Sequence, residues 1–406
     1  MNSQEKKLIN RPLNVLIVMH GECCPNTGGI QRVSDILVHT MSANYGHKFY
    51  CLYRFKGPVD AARTKYEKSY RMEDITKEGI AEIINANSID IILNQELHWN
   101  SRTIRQAIAI SKKPRCKVVY ALHIKPMADA FDYIRFSHVF DYYKSNRSLY
   151  QLIKLVFYPV YRYRNLRYIR RKYGEANNYS DRVILLSQSY KEAWVKYSIP
   201  HPVNETKILS IPNPLSYTIL PNEINLKDKR KRLLFVGRLS ESHKRVSLIL
   251  KVWKEISSDV KFSDWELDII GDGPDRSAYE QMASSIDRVN IRGWQSPMDF
   301  YRRSSVFLMT SAFEGWPMTI VEASQMGCVP VVFDSFSSIH DIINDNENGL
   351  LVANNDMEAY ITAVKSLMID DTKRENMANM AMQSVQRFSK GKISAKWQKL
   401  FEEITK

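Results

Sequence analysis

Residues 313–330 read FEGWPMTIVEASQMGCVP and place two glutamates, Glu314 and Glu322, eight positions apart. Pro317 suits the first turn of a helix, because the amide hydrogen that proline lacks has no helical acceptor there. The apolar run that follows therefore predicts a short helix. Glu314 would lie in the loop before this helix, and Glu322 about one turn inside it.

This segment also has the outline of a ligand site. Loops that follow the strands of a parallel sheet open at its carboxyl edge, where ligands bind. Two carboxylates at that edge can accept hydrogen bonds from a polyol such as ribose or a sugar. The helix N-terminus between them offers free amide groups to a phosphate. We therefore predict a nucleotide-sugar site around Glu314 and Glu322.

Apolar runs alternate with helix-period segments on both sides of this stretch, which predicts an α/β protein with doubly wound parallel sheets. The pattern favours two Rossmann-like domains, residues 1–212 and 213–388, joined where prolines cluster, and a final helix over 389–406 that crosses back to the first domain. The predicted strands are Val15–Met19, Phe49–Tyr53, Ile89–Leu93, Val118–Leu122, Val183–Leu186, Leu233–Val236, Leu267–Ile270, Val289–Ile291, Val306–Met309 and Val329–Phe333.

Length and composition exclude several classes of protein. A chain of 406 residues, 44% of them hydrophobic, suits two domains and excludes global disorder. It has no run of about 18 uncharged apolar residues, and its first residues lack the apolar core of a signal peptide. The five cysteines form no C-x-x-C pair. We therefore expect a reduced, cytoplasmic protein without a zinc site.

Charge is distributed unevenly between the two halves. Residues 1–210 hold 33 lysines and arginines against 18 acidic residues, whereas residues 211–406 hold 25 against 26. The basic half suggests an anionic partner, with a merely soluble basic surface as the alternative. Basic and aromatic residues interleave over Tyr158–Tyr173, which favours an anionic membrane surface over nucleic acid or a solvated helix. We therefore expect peripheral binding to the inner face of the membrane.

Two loops of the second half suit a diphosphate. The strand that ends at Val236 runs into Gly237 and Arg238, and Lys244 follows six residues later. Arginine can clamp two oxygens and lysine adds a point charge, although two cations after a strand are also common without a function. The turn Gly271–Pro274 ends the next strand; its glycines allow close approach of a ligand or simply make a tight turn.

Two features of the first half suit a sugar or phosphate. Gly28 and Gly29 precede a predicted helix from Ile30 and could expose amide groups, without the spacing of a dinucleotide site. His123 ends an apolar strand at its carboxyl end, where an imidazole can hydrogen-bond a substrate hydroxyl. Flexibility at a helix start and an ordinary loop histidine are the alternatives.

In their order and distances these motifs resemble glycosyltransferase family 4, whose members are retaining enzymes of the GT-B fold. The resemblance is carried by residues 236–239 with Lys244, by residues 271–274, by residues 314–323 and by residues 211–214. It implies two Rossmann-like domains facing each other across a cleft. It also implies transfer of a sugar from a nucleotide-diphosphate donor, UDP-sugar favoured over GDP-sugar, to a glycan or lipid-linked acceptor in surface-polysaccharide biosynthesis.

The resemblance implies a role for each matching residue and no need for a divalent metal or other cofactor. Glu322 would bind the ribose hydroxyls, while Glu314 and His123 would be the catalytic pair on either side of the transferred sugar. Gly28 and Gly29 would form an acceptor or phosphate loop. The remaining donor-binding positions would be Gly237, Arg238, Lys244, Gly273, Trp316, Pro317, Met318 and Thr319.

Two other functions suit the same pattern. One is a sugar-nucleotide isomerase or phosphorylase on the same two-domain plan; a phosphorylase of that kind would need a lysine for pyridoxal phosphate, which no motif marks. The other is a non-catalytic module that binds polyanions. That module would not need Glu314 and Glu322, whereas a transferase needs both.

Overall fold

The computed structural model describes residues 11–59, 61–96, 101–128, 134–200 and 202–406. The chain forms two compact units. The first comprises Met1–Asn213 with Lys390–Lys406, and the second comprises Pro214–Ser389. The domain boundary predicted after residue 212 lies next to the boundary between these units.

The first unit is built on one parallel sheet. Its strands are β1 (Asn14–Gly21), β2 (Lys48–Phe55), β3 (Lys68–Arg71), β4 (Ile91–Asn94), β5 (Lys117–Ala121), β6 (Arg182–Leu185) and β7 (Ile208–Ser210). Their order across the sheet is β3-β2-β1-β4-β5-β6-β7. The sequence predicted neither edge strand, β3 nor β7, because both are short and neither reads as an apolar run.

Helices cover both faces of this sheet. They are α1 (Gly29–Tyr45), α2 (Lys77–Asn87), α3 (Ser101–Ile110), α4 (Phe136–Asn146), α5 (Leu149–Val156), α6 (Tyr158–Tyr179) and α7 (Lys191–Tyr197). Successive side chains of β1 point to opposite faces: Val15 and Ile17 pack with α1, and Leu16 and Val18 pack with α2 and α3. Because both faces are buried, the central strands read as continuous apolar runs.

The second unit has a parallel sheet of its own. Its strands are β8 (Arg230–Val236), β9 (Glu266–Ile270), β10 (Val289–Ile291), β11 (Ser304–Met309), β12 (Val329–Asp334) and β13 (Leu350–Ala353), in the order β10-β9-β8-β11-β12-β13. Its helices are α8 (Glu241–Lys244), α9 (Val246–Ser257), α10 (Arg276–Ala283), α11 (Met298–Arg303), α12 (Met318–Gln325), α13 (Met357–Ile369) and α14 (Asp371–Val385). The predicted doubly wound α/β architecture is thereby confirmed in both units.

The last helix, α15 (Lys390–Thr405), belongs to the first unit. Its apolar residues recur at helical spacing and pack into the core cluster that contains β1 and α1. A hydrogen bond of 2.7 Å joins His47 Nε2 to Gln398 Oε1, and Arg182 pairs with Glu403 at 2.5 Å. The final segment of the chain therefore completes the unit that the first segment begins.

Candidate active site

Strand order places the loops of the candidate site. In the second unit β8 lies between β9 and β11. The chain continues from β8 to β9 and β10 on one side and then crosses to β11 on the other side, so the direction of strand addition reverses at β8. Ligands of doubly wound sheets bind at the carboxyl edge beside such a reversal. The loop after β8 leads to Lys244, and the loop after β11 carries Glu314. The topology thus brings together two groups that stand 70 residues apart in the chain.

Lys244 and Glu314 form a buried ion pair. The distance from Lys244 Nζ to Glu314 Oε1 is 2.5 Å, and both residues are buried. His243 Nε2 lies 3.7 Å from Glu314 Oε2, and its ring stacks on Phe313 with centroids 4.5 Å apart. Burial raises the pKa of Glu314, but Lys244 and His243 outweigh it and lower the pKa to about 2. Glu314 is therefore ionised at neutral pH.

The backbone around Lys244 is held to the end of β11. The Thr310 hydroxyl lies 3.0 Å from the carbonyl oxygens of both Lys244 and Arg245. The Arg245 guanidinium donates to the carbonyls of Thr310 and Ser311 at 2.6 and 2.9 Å. Sequence analysis missed Arg245 and Thr310, because nothing local links residues that far apart.

Arg238 and its neighbouring glycines serve different purposes. The Arg238 side chain is exposed and makes no hydrogen bond or ion pair with any described residue, so it is available to an anion. Gly237 donates its N–H to Ile270 O at 3.0 Å. A Cβ at Gly271 or Gly273 would overlap the backbone of the loop after β8. Close packing of two loops thus explains these two glycines without a ligand.

Glu322 lies in α12 and is fully buried. The hydroxyl of Ser216 donates to its Oε1, and the hydroxyl of Tyr301 donates to its Oε2 at 3.1 Å. Burial raises the pKa of Tyr301, and the charge of Glu322 raises it further, so the phenol stays a donor. In the structure Glu322 therefore accepts hydrogen bonds from two protein hydroxyl groups, and its binding of ribose hydroxyls stays a prediction. Sequence analysis missed both partners, since neither residue type marks the role.

The residues just before α12 and those in its first turn differ in burial and in backbone conformation. The Trp316 indole is buried and packs edge-on against Phe388, with centroids 5.1 Å apart. Pro317 precedes the helix as its N-cap; the prediction that it lies inside the first turn was wrong by one residue, because its ψ of 84° is not helical. Met318 and Thr319 open the helix and are half-buried. Trp316 would thus meet a ligand through its backbone.

In the first unit, Gly28 and Gly29 stand at the start of α1. Gly28 is the N-cap in an extended conformation, and no acidic residue occupies the first turn of this 17-residue helix. A Cβ at Gly29 would meet no described atom within 4 Å. The N-terminus of α1 therefore faces open space beside Gly29 and is free to approach a ligand.

His123 lies just beyond β5 in the first unit. Both ring nitrogens are buried, and neither makes a hydrogen bond of ordinary geometry with a described residue. Burial lowers the pKa of His123 to about 4 and outweighs the Asn213 side chain, which raises it. The ring is therefore neutral at pH 7 and can donate or accept one hydrogen bond at each nitrogen.

Within the described ranges, no three His, Cys, Asp or Glu side chains converge as a metal site would require. All five cysteines are buried free thiols. None of the helices in the described part of the chain has both the length and the apolar content needed to cross a bilayer.

Residues 217–384 match the family model described as glycosyl transferases group 1. This range contains Lys244, Glu314 and Glu322. The second unit is a group 1 glycosyl transferase domain. The group 1 domain thus holds every donor-binding residue predicted from the sequence.

Several curated relatives of the chain are glycosyltransferases by name. The chain is 27% identical over 221 residues to an uncharacterized glycosyltransferase of Haemophilus influenzae, covering 53% of this chain and 60% of that protein. It is 28% identical over 215 residues to the lipopolysaccharide 1,6-galactosyltransferase of Salmonella typhimurium, covering 51% and 57%. The matched parts therefore span little more than half the length of these relatives.

The whole chain resembles a solved structure, Anabaena Alr3699/HepE in complex with UDP. The TM-score is 0.70 at 14% sequence identity, and the match covers 96% of this chain and all of that one. At this identity the likeness establishes the fold alone. It confirms the predicted GT-B fold of two Rossmann-like units.

Proposed function

We propose that the protein transfers a sugar from a nucleotide-diphosphate donor to a glycan or lipid-linked acceptor in surface-polysaccharide biosynthesis. The observation that carries this proposal is the group of cations and carboxylates at the carboxyl edge of the second sheet, within a group 1 domain. Lys244 pairs there with Glu314, and the exposed Arg238 lies in the loop after β8 that leads to Lys244. The name of the lipopolysaccharide galactosyltransferase relative supports the same class of acceptor.

In this proposal the diphosphate of the donor meets Arg238 and Lys244. Their charges neutralise the departing diphosphate and do so without a divalent metal. Glu314 stays ionised beside Lys244 and accepts hydrogen bonds from hydroxyls of the sugar. The acceptor attacks from the face on which the diphosphate leaves, so the anomeric configuration is retained. A phosphate oxygen takes the acceptor proton.

The nucleotide lies against α12. Glu322 accepts hydrogen bonds from ribose hydroxyls, as it accepts them from Ser216 and Tyr301 in the structure. The amides that open α12 add donors for the phosphates. UDP is the favoured nucleotide, and the UDP complex of the solved neighbour supports this choice.

Acceptor recognition belongs to the first unit in this proposal. Gly29 leaves open space at the α1 N-terminus, next to Gly28, and His123 supplies a neutral ring for a hydroxyl or for the reacting region. The basic surface of this unit keeps the protein on the cytoplasmic face of an anionic membrane, where a lipid-linked acceptor would be held.

The test is a panel of UDP- and GDP-sugars offered with candidate lipid-linked acceptors. Nucleotide release is measured, and the product is then analysed by mass and by the NMR coupling of its anomeric proton. We expect acceptor-dependent release with a UDP-sugar, retained configuration and an unchanged rate in EDTA. Sugar that stays on the nucleotide would indicate an isomerase, and a strict need for Mg²⁺ or Mn²⁺ would contradict the role of the two cations.

Matched arginine variants make that test specific. Arg238→Gln removes the exposed cation at the site, and Arg302→Gln removes an exposed arginine of α11. A charged hydrogen bond is worth about 1.5–3 kcal/mol, so Arg238→Gln should lower kcat/KM for the donor at least tenfold. Arg302→Gln should leave it unchanged. Equal effects of the two variants would argue against a diphosphate site at Arg238.

A further inference from the structure

Helices α4 to α6 of the first unit expose an unusual amount of apolar surface. Twelve of the twenty-one exposed large hydrophobic side chains in the described part of the chain lie between residues 136 and 168. Soluble monomers rarely expose contiguous apolar patches of more than a few hundred Å², and larger ones mark interaction sites. We therefore expect this region to bind a partner.

Helix α5 has its faces reversed. Its buried residue is Gln151, at 8% exposure, whereas Leu149 and Val156 are 73% and 65% exposed. Ile153 and the adjoining Phe157 are exposed as well. A surface helix of a domain in water normally buries its apolar stripe and exposes its polar one. The aliphatic stripe of α5 thus points away from the protein core.

Helices α4 to α6 are also rich in cations. Residues 136–172 contain nine lysines and arginines against one aspartate, an excess of eight. Lys154 lies 4.2 Å from the ring centroid of Tyr150, beside the stripe. On α6, Arg162, Arg164 and Arg167 are exposed and pair with none of the described residues. Aliphatic side chains flanked by tyrosines and unpaired cations are the composition of a helix at a lipid interface.

We propose that this docking surface, made of Leu149, Ile153, Val156 and Phe157 with Arg162, Arg164 and Arg167, binds an anionic lipid bilayer. The α5 stripe enters the boundary between headgroups and acyl chains, and the α6 arginines bind lipid phosphates. Nucleic acid would satisfy the arginines but not the aliphatic stripe. A second copy of the chain would bring two surfaces of like charge together. The role of this surface rests on the proposed function, because the membrane would hold the lipid-linked acceptor.

Vesicle flotation without donor or acceptor tests the surface directly. We expect binding to vesicles of phosphatidylcholine mixed with phosphatidylglycerol, and less binding as salt rises. The triple variant Leu149→Ser/Val156→Ser/Phe157→Ser should weaken binding at least about 30-fold even at low salt. Replacing the three α6 arginines by glutamine should cost about fivefold each at low salt. Val260→Ser, at an 85% exposed valine of the second unit, is the matched control and should change nothing.

Insertion itself can be measured with a dye. Because the five native cysteines are buried, a Val156→Cys variant can be labelled at that position alone. An environment-sensitive dye there should shift to the blue with mixed vesicles, and the same dye on Val260→Cys should not. The absence of a shift, or equal vesicle binding by the wild type and the triple serine variant, would overturn the proposal.

Two further outcomes separate the competing explanations. If the wild type self-associates and the triple serine variant is monomeric without any change in vesicle binding, the surface joins copies of the chain and the lipid proposal is wrong. Nucleotide release in detergent distinguishes the two proposals, because it does not need a bilayer. If the triple variant still releases nucleotide in detergent, the proposed function stands whatever its vesicle binding. If the wild type binds vesicles but releases no nucleotide, the membrane surface stands and the proposed function is wrong.

Discussion

The carboxyl edges of the two sheets differ in how they treat charge. In the second unit, ionised groups are buried with partners: Lys244 with Glu314, and Glu322 with two hydroxyls. In the first unit, burial keeps His123 neutral, and the buried Glu96 carboxylate lies 3.4 Å from His20 Nδ1. Exposed arginines of α6, which pair with none of the described residues, lie on its surface. A buried charge is costly without a partner, and each buried carboxylate of the second edge has a cation or hydroxyl groups beside it. In our proposal, the edge of the second unit binds the anionic donor and the edge of the first unit binds a neutral hydroxyl of the acceptor.

The largest effect should come from breaking the buried ion pair. Lys244→Met leaves the Glu314 carboxylate buried without its cation, which costs about 3–5 kcal/mol. His123→Leu, which removes a neutral ring from the other edge, should cost about 1.5 kcal/mol or less. Urea unfolding of the full chain measures both variants.

The double variant Lys244→Met/Glu314→Gln is the control for this prediction. It removes both charges and should recover most of the lost stability, because no unpaired carboxylate remains. A cost below about 1 kcal/mol for Lys244→Met would place the pair in the class of exposed ion pairs and remove the contrast between the edges.

Glu322→Ala should weaken both donor use and the stability of the fold. The variant removes a carboxylate that binds hydroxyls, so kcat/KM for the donor should fall at least about tenfold. The hydroxyls of Ser216 and Tyr301 also lose their acceptor, and stability should fall by about 1–3 kcal/mol. Glu255→Ala on α9 replaces an exposed glutamate and should change neither quantity. Unchanged donor kinetics in folded Glu322→Ala would remove the ribose role.

Glu314 at one edge and His123 at the other should lower the free energy of unfolding in different pH ranges. The pKa of Glu314 is lowered from 4.5 to about 2, so its contribution is complete above pH 4.5 and is lost as the pH falls to 2. The pKa of His123 is lowered from 6.5 to about 4, so the fold loses stability between pH 6.5 and 4 as the unfolded chain takes up the proton.

Variants assign each range to one edge. Glu314→Gln should flatten the curve of urea midpoint against pH in the lower range only, and His123→Gln in the upper range only. If Glu314→Gln instead flattened the upper range, the assignment of paired charge to the second unit and neutral histidine to the first would be wrong.

The smallest effect concerns the open N-terminus of α1. Gly29→Ala should raise the free energy of unfolding by about 0.4–1 kcal/mol, because the added methyl meets nothing within 4 Å and alanine restricts the unfolded chain. Gly391→Ala in α15 meets the same conditions and should stabilise equally. Only Gly29→Ala should raise KM for the acceptor. Identical acceptor kinetics in the two variants would show that no ligand approaches Gly29.

Sequence reasoning located the second unit well because its evidence is local. The apolar runs of β8, β9 and β11 are buried on both faces and are therefore readable as runs. Short elements with mixed composition, such as β3 and β7, gave no such signal. Pro317 was misplaced by one residue because proline suits both the cap and the first turn. The reversal of α5 was not predictable, since helical spacing does not say which side the protein covers.

The sequence by itself determined which groups exist and how they are ordered along the chain: two carboxylates around a short helix, cations after a strand, and a basic first half. The tertiary structure decided which of them meet. Lys244 reaches Glu314 across 70 residues because β8 and β11 are neighbours in the sheet, and Ser216 reaches Glu322 because α12 packs beside it. Spacing along a chain fixes neighbours only within a helix or strand, whereas strand order and packing fix the rest.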